Sequence, residues 1–178
     1  WSLDNWGEDV LANRRGGAIY YWKTTVGTAP RAVLVTNSPT TVNSIVVSPN
    51  DRHLIALGTN EFGTTASPSG TYNPMVVRWS DQEDYTNWTP AINSTSGEVI
   101  IADGTKIVGA RRSRNAVNIW TDNALWSMTF VGPPFIFNFA QLGTNCGLIA
   151  QHAAVDYDGR SVWMGYDNFY VFDGQVRS

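Results

Sequence analysis

The stretch Gly147 to Gly174, GLIAQHAAVDYDGRSVWMGYDNFYVFDG, decides how the rest of the chain is read. An apolar run ends in Ala153-Ala154-Val155, a turn follows at Asp156-Tyr157-Asp158-Gly159-Arg160, and Ser161 to Gly165 returns as a second strand. After a turn at Tyr166-Asp167-Asn168, Phe169-Tyr170-Val171-Phe172 closes on Asp173-Gly174. Asp-Gly between β-rich runs is a strong hairpin signal, because both residues tolerate the positive φ angles of twist-matched turns. The stretch reads as a β-meander.

Earlier segments repeat this order. Lys106 to Ala110, a turn at Arg111 to Asn115, Ala116 to Trp120, a turn at Thr121 to Asn123 and Ala124 to Met128 form a second copy. A third runs from Ser44 to Ser48 through Pro49 to Arg52 into His53 to Gly58, then a Gly/Ser/Thr/Pro-rich insertion from Thr59 to Pro74, then Met75 to Trp79. Asp9 to Ala12, Asn13 to Gly17 and Ala18 to Trp22 read as part of a fourth. With Trp22, Trp79, Met128 and Phe172 equivalent, the units are about 57, 49 and 44 residues apart, and repeats near 40 to 50 residues with a few strands each mark β-propeller blades. The predicted fold is all-β, with β-propeller-like antiparallel meanders: three blades and part of a fourth, spanning about 1–35, 36–90, 91–130 and 131–178 in one domain. A closed ring needs at least about four complete blades, so the chain is expected to be a fragment of a larger ring.

The composition fits. Apolar residues make up 43% of the chain, aromatic ones 12% and charged ones only 15%, with eight Trp; so few charges predict that much of the surface is covered by something. No run reaches the roughly 18 apolar residues of a membrane span, and no stretch keeps a helical period over three turns. A net charge of -3 speaks against gripping nucleic acid by its phosphates, though not against a protein that DNA merely passes. The single Cys146 leaves no internal disulfide and reads as a small buried hydrophobe rather than a reactive thiol. Trp1 and Trp6 read as packing residues, and Asp81 to Ser96 as a loop. The sequons at Asn87 and Asn93 are read as chance matches.

Little catalytic chemistry is legible. His53 and His152 lack carboxylate or thiol partners at ligand spacing, so no metal or other cofactor is expected. The acids Asp51, Asp81, Asp122, Asp156, Asp158, Asp167 and Asp173 fall almost wholly in turns, where such residues bond their own backbone, and the chain is not expected to be an enzyme. Two groups stand out as subunit-interface candidates. Arg111, Arg112 and Arg114 place three guanidiniums on one hairpin, read either as a solvated turn or as a contact with carboxylates or phosphate. In Thr129 to Phe139 a Gly-Pro-Pro break precedes Phe135, Phe137 and Phe139, whose alternation puts them on one strand face, either a blade-to-blade core contact or an oligomer interface.

The string WSLDNWGEDVLAN at Trp1 to Asn13, NIWTDNALWSMTFVGPPFIFNFAQLGTNCGLIA at Asn118 to Ala150 and GRSVWMGYDNFYVFDG at Gly159 to Gly174 resemble the propeller-bearing tail hub or nozzle proteins of short-tailed bacteriophages. The resemblance covers most of the chain and is strongest from Asn115 onward. It implies a structural virion protein of the tail: copies of itself in a ring below the portal, beside other tail or portal-adaptor proteins, conducting or retaining genomic DNA without sequence-specific binding. The alternatives from the residues are a carbohydrate-binding or carbohydrate-cleaving propeller, whose Trp-rich turns would stack on sugars, and a peptide-binding scaffold.

Overall fold

The computed structural model describes residues 1–178. Its strands form four antiparallel sheets of four, each a meander in chain order. The first holds β1 (Ser2–Trp6), β2 (Asp9–Asn13), β3 (Ile19–Trp22) and β4 (Val33–Leu34). The second holds β5 (Val42–Val47), β6 (Leu54–Phe62), β7 (Ser69–Trp79) and β8 (Gly97–Ile100). The third holds β9 (Ile107–Arg112), β10 (Val117–Thr121), β11 (Ala124–Gly132) and β12 (Ile136–Thr144). The fourth holds β13 (Ala154–Tyr157), β14 (Arg160–Met164), β15 (Phe169–Phe172) and β16 (Val176–Arg177). The strands at Leu54 to Leu57, Val117 to Trp120 and Val162 to Met164 are each the second of their sheet, as the repeat requires.

Four details differ from the sequence expectation. The N-terminal repeat is complete, because Ser2–Trp6 supplies a first strand and Val33–Leu34 a last. The sheet edges lie elsewhere than residues 90 and 130: Gly97–Ile100 pairs with β7 beyond a long loop, and Ile136–Thr144 pairs with β11. The insertion from Thr59 to Pro74 is mostly strand, since Thr59, Asn60 and Phe62 pair with Asn73, Tyr72 and Ser69. Its small polar residues hid an extended hairpin. Gly132-Pro133-Pro134 likewise turns the β11–β12 hairpin rather than ending a sheet, with Gly132 at φ +76° and opposite Ile136.

The chain divides into two units, Trp1–Val47 with Arg52–Ile100 and Ser48–Asp51 with Ile101–Ser178. In the first unit Leu11 and Ile19 meet Val42, Ile45, Val47 and Leu54 in a buried core. In β2 burial alternates, whereas β5 and β6 are buried on both faces, Leu54 to Leu57 without a break, as in a sheet covered on both sides. Trp88, from the loop after β7, closes this core, while Tyr85 packs edge-on to Trp6 at 5.3 Å. Trp1 is exposed, so only one of the two opening tryptophans serves as packing. Polar stitches join the first strands of the two sheets: Ser2 Oγ donates to Ile45 O at 2.9 Å and accepts from Ile45 N at 3.1 Å, and Asp4 Oδ2 accepts from Val47 N at 2.7 Å.

The second unit is centred on aromatic rings. Trp120 meets Trp163 at 5.6 Å and 61°, and Trp163 stacks on Tyr170 at 5.6 Å and 19°. Trp163 Nε1 donates to Cys146 O at 2.7 Å, and Tyr170 donates its hydroxyl to Asp167 Oδ1 at 2.8 Å. A buried indole of this kind contributes about 3–5 kcal/mol relative to Ala. Asp158 and Gly159, at φ +51° and +75°, form the two-residue turn that the Asp-Gly pair predicts. At Gly147 a Cβ would stand 2.0 Å from Asp122 O, so only glycine lets the incoming segment lie against that turn.

Candidate assembly face

Alternation along the fourth sheet splits its side chains cleanly. Ala154, Ser161, Trp163 and Tyr170 point into the second unit and are buried. Val155, Tyr157, Val162, Met164 and Phe169 point the other way and are exposed, Tyr157 by 82% and Phe169 by 68%. They adjoin one another across the sheet, since Val155 stands opposite Val162 and Met164 opposite Phe169. Val155, Val162, Met164 and Phe169 line, with His152, an open groove of about 300 Å³.

The register shows what such a face does elsewhere in the molecule. In the third sheet Asn118 stands opposite Arg111 and Ser127, and Trp120 opposite Leu125. Advancing every one of these residues by the C-terminal repeat step gives Val162 opposite Val155 and Val171, and Met164 opposite Phe169, which is the observed pairing of the fourth sheet. The third-sheet residues of this set face the fourth sheet: Trp120 meets Trp163, and Asn118 Nδ2 donates to Ser161 Oγ at 2.9 Å. The exposed apolar face is thus the repeat equivalent of one that is covered by a following sheet. No other sheet of the second unit covers it.

Arg111 belongs to the covered contact. Its Nε donates to Ala154 O at 2.9 Å and its Nη2 to Gln151 O at 3.0 Å, with His152 Nδ1 at 3.4 Å. Burial lowers this guanidinium's pKa from its ordinary value, and it stays protonated at neutral pH. Arg114 pairs with Asp158 between the two hairpin tips, and both are exposed. Arg112 neighbours Arg111 on β9 and points to the opposite face of the strand. The three arginines therefore do not share one surface, because a strand turns consecutive side chains to opposite sides.

The phenylalanines also separate. Phe135 sits in the hairpin turn, 79% exposed, while Phe137 is buried against Phe130 at 5.7 Å. Phe139 follows Phe137 on the same face of β12 and is half-buried. The residue following Gly-Pro-Pro is outside the strand, so the alternation holds for two of the three.

The remaining polar groups serve as pins. His53 is buried with Nε2 3.0 Å from Thr95 Oγ1, which donates to Asp81 Oδ1 at 2.6 Å. Burial pushes the Asp81 carboxyl up, but hydrogen bonds from Thr95 and Gln82 outweigh it and hold the pKa below the usual value. Asp122 takes Thr105 N at 2.8 Å, and its hydrogen bonds to Thr105 and Lys106 likewise outweigh the upward push of burial. Burial raises the Cys146 thiol's pKa, which keeps it protonated. These acids accept from backbone and neighbouring hydroxyls, the ordinary work of turn aspartates.

The face at Val155, Val162, Met164 and Phe169 escaped the sequence reading, which weighed aromatic runs and charge clusters. The signal was present in the repeat itself: the 44-residue step from Met128 to Phe172 maps covered positions of one meander onto these positions of the next. Comparison with the models of known protein families gives no match, and comparison with curated proteins gives none.

Proposed function

We propose that this chain is a structural subunit of a bacteriophage tail, built into a ring of identical copies that conducts or retains genomic DNA. It acts by assembly and not by turnover. The observation that carries the proposal is the apolar face of the fourth sheet, in the register that covers the third. Its five side chains, 44 to 82% exposed, present on the order of 500 Å² of surface, taking roughly 150–200 Å² per fully exposed residue, which is at the upper end of the patches that monomers leave uncovered. A neighbouring copy is the occupant that a homomeric ring requires. The resemblance of the three long strings supplies the tail context, and the net charge of -3 suits a conduit, because a lining rich in fixed cations would hold the phosphates and stall passage.

Val162→Asp with Phe169→Asp places two charges on this face without touching the core. Sedimentation of the wild-type chain is expected to show a concentration-dependent oligomer, and negative-stain images a ring. The double variant should sediment as a monomer with unchanged circular dichroism. A wild-type chain that stays monomeric at high concentration, or a variant that assembles normally, would refute the assignment.

A further inference from the structure

A second site lies on the first sheet, at the end of β3. There the chain leaves the strand at Trp22, makes a short 3-10 turn at Thr24–Val26 and reverses at Gly27, whose φ of +75° suits glycine. The returning segment through Pro30 and Arg31 encloses a pocket of about 150 Å³ against Tyr21 and Trp22. Lys23 and Arg31 both line it, and Val26 adds an apolar wall. The Lys23 ammonium stands 5.6 Å from the centre of the Tyr21 ring, a cation–π distance that fixes it at the pocket. The acid on the adjoining strand, Asp9, accepts Thr24 N at 3.4 Å instead of pairing with Lys23. Two cations and two aromatic residues therefore line one cavity, Tyr21 also packing on Tyr85 at 5.6 Å, and no carboxylate lies within ion-pair distance of either cation.

We propose that this pocket binds a carboxylated pyranose, a sugar ring of the uronic acid kind. An aromatic ring takes the C–H face of a sugar by apolar contact, and a guanidinium beside an ammonium receives a carboxylate through charge-assisted hydrogen bonds. Size selects a single ring: the volume is about half the roughly 300 Å³ at which pockets for drug-sized ligands begin. A nucleotide with its base, sugar and phosphate exceeds it. The negative net charge of the chain also disfavours a long polyanion over one small anion held locally. This inference is independent of the assembly face, which lies on a different sheet.

The test uses the whole chain labelled with nitrogen-15, titrated with glucuronate, glucose and inorganic phosphate, with the Trp22 indole resonance as the local probe. Glucuronate is expected to saturate near the millimolar range, as suits one ring in a shallow site, with a dissociation constant of about 1 mM. Glucose and phosphate should each bind at least about ten times more weakly, because each lacks one of the two recognised groups. Lys23→Ala with Arg31→Ala should weaken glucuronate at least about tenfold while the other amide resonances stay in place, since both side chains are exposed. Glucose equal to glucuronate, phosphate equal to glucuronate, a double variant that binds as the wild type, or no saturation at all would each overturn the proposal.

Discussion

Arg78 offers the sharpest test of how the first unit is held together. Its guanidinium is buried, with Nη1 donating to Pro68 O at 3.0 Å, Asn60 O at 3.3 Å and Glu61 O at 3.4 Å, and Nη2 to Trp88 O at 3.2 Å. Glu98 Oε2 stands 3.8 Å from Nε, and the rings of Phe62 and Trp88 flank the group at 5.5 and 6.0 Å. Burial lowers its pKa to about 10, partly offset by Glu98, so it is charged at neutral pH. Arg78→Met keeps the aliphatic bulk and removes every donor. Breaking a buried pair costs about 3–5 kcal/mol. Here the low end applies, because Glu98 is partly exposed and still accepts Phe62 N at 2.6 Å. A loss of about 3 kcal/mol is therefore expected, which in urea lowers the midpoint by roughly 1.5 M for a slope of about 2 kcal/mol/M. Arg78→Lys should lose less, about 1–2 kcal/mol, since one ammonium keeps the charge but cannot span carbonyls on two sides. Tryptophan fluorescence and far-ultraviolet circular dichroism both report the transition. A Met variant within 1 kcal/mol of wild type, by the scale of an ordinary surface change, or a Lys variant as unstable as the Met one, would refute this account.

Two further outcomes follow from the same geometry. Arg111→Ala should cost about 1.5–3 kcal/mol in urea unfolding, as charge-assisted bonds to the partly buried carbonyls of Ala154 and Gln151 are lost, whereas Arg114→Ala, removing an exposed pair, should cost less than about 1 kcal/mol; equal losses would contradict the assignment. Replacing all three arginines together consequently tests folding as much as assembly. Because the folded Asp81 pKa is depressed, its carboxylate adds stability above the unfolded value of about 3.9, and that stability disappears as pH falls through the lower folded value. Asp81→Asn should lower the urea midpoint at pH 7 and flatten its fall below about pH 4, and an unchanged acid slope would show that other groups carry the acid response.

The meander was legible because its information is local. Asp158-Gly159 fixes a turn, the alternation of Ser161 and Trp163 with Val162 and Met164 fixes a strand with two faces, and similar strings upstream repeat both. What stayed hidden depends on partners distant in the chain. The Thr59 to Pro74 segment reads as a loop by composition, yet Arg78, Asn60 and Glu98 hold it as strand: Asn60 Nδ2 donates to Gly70 O at 3.0 Å, and Arg78 reaches Pro68. A buried guanidinium that organises a hairpin has no short-range signature. Arg111 illustrates the same limit, since three arginines in four residues read as one patch, while the strand sends Arg111 to the carbonyls of the following sheet and Arg112 the other way. The open face is the reverse case. Each of Val155, Val162, Met164 and Phe169 alone is an ordinary strand residue, and only their correspondence with Arg111, Asn118, Trp120 and Leu125, which a neighbouring sheet covers, singles out this exposed face as the repeat equivalent of a covered one.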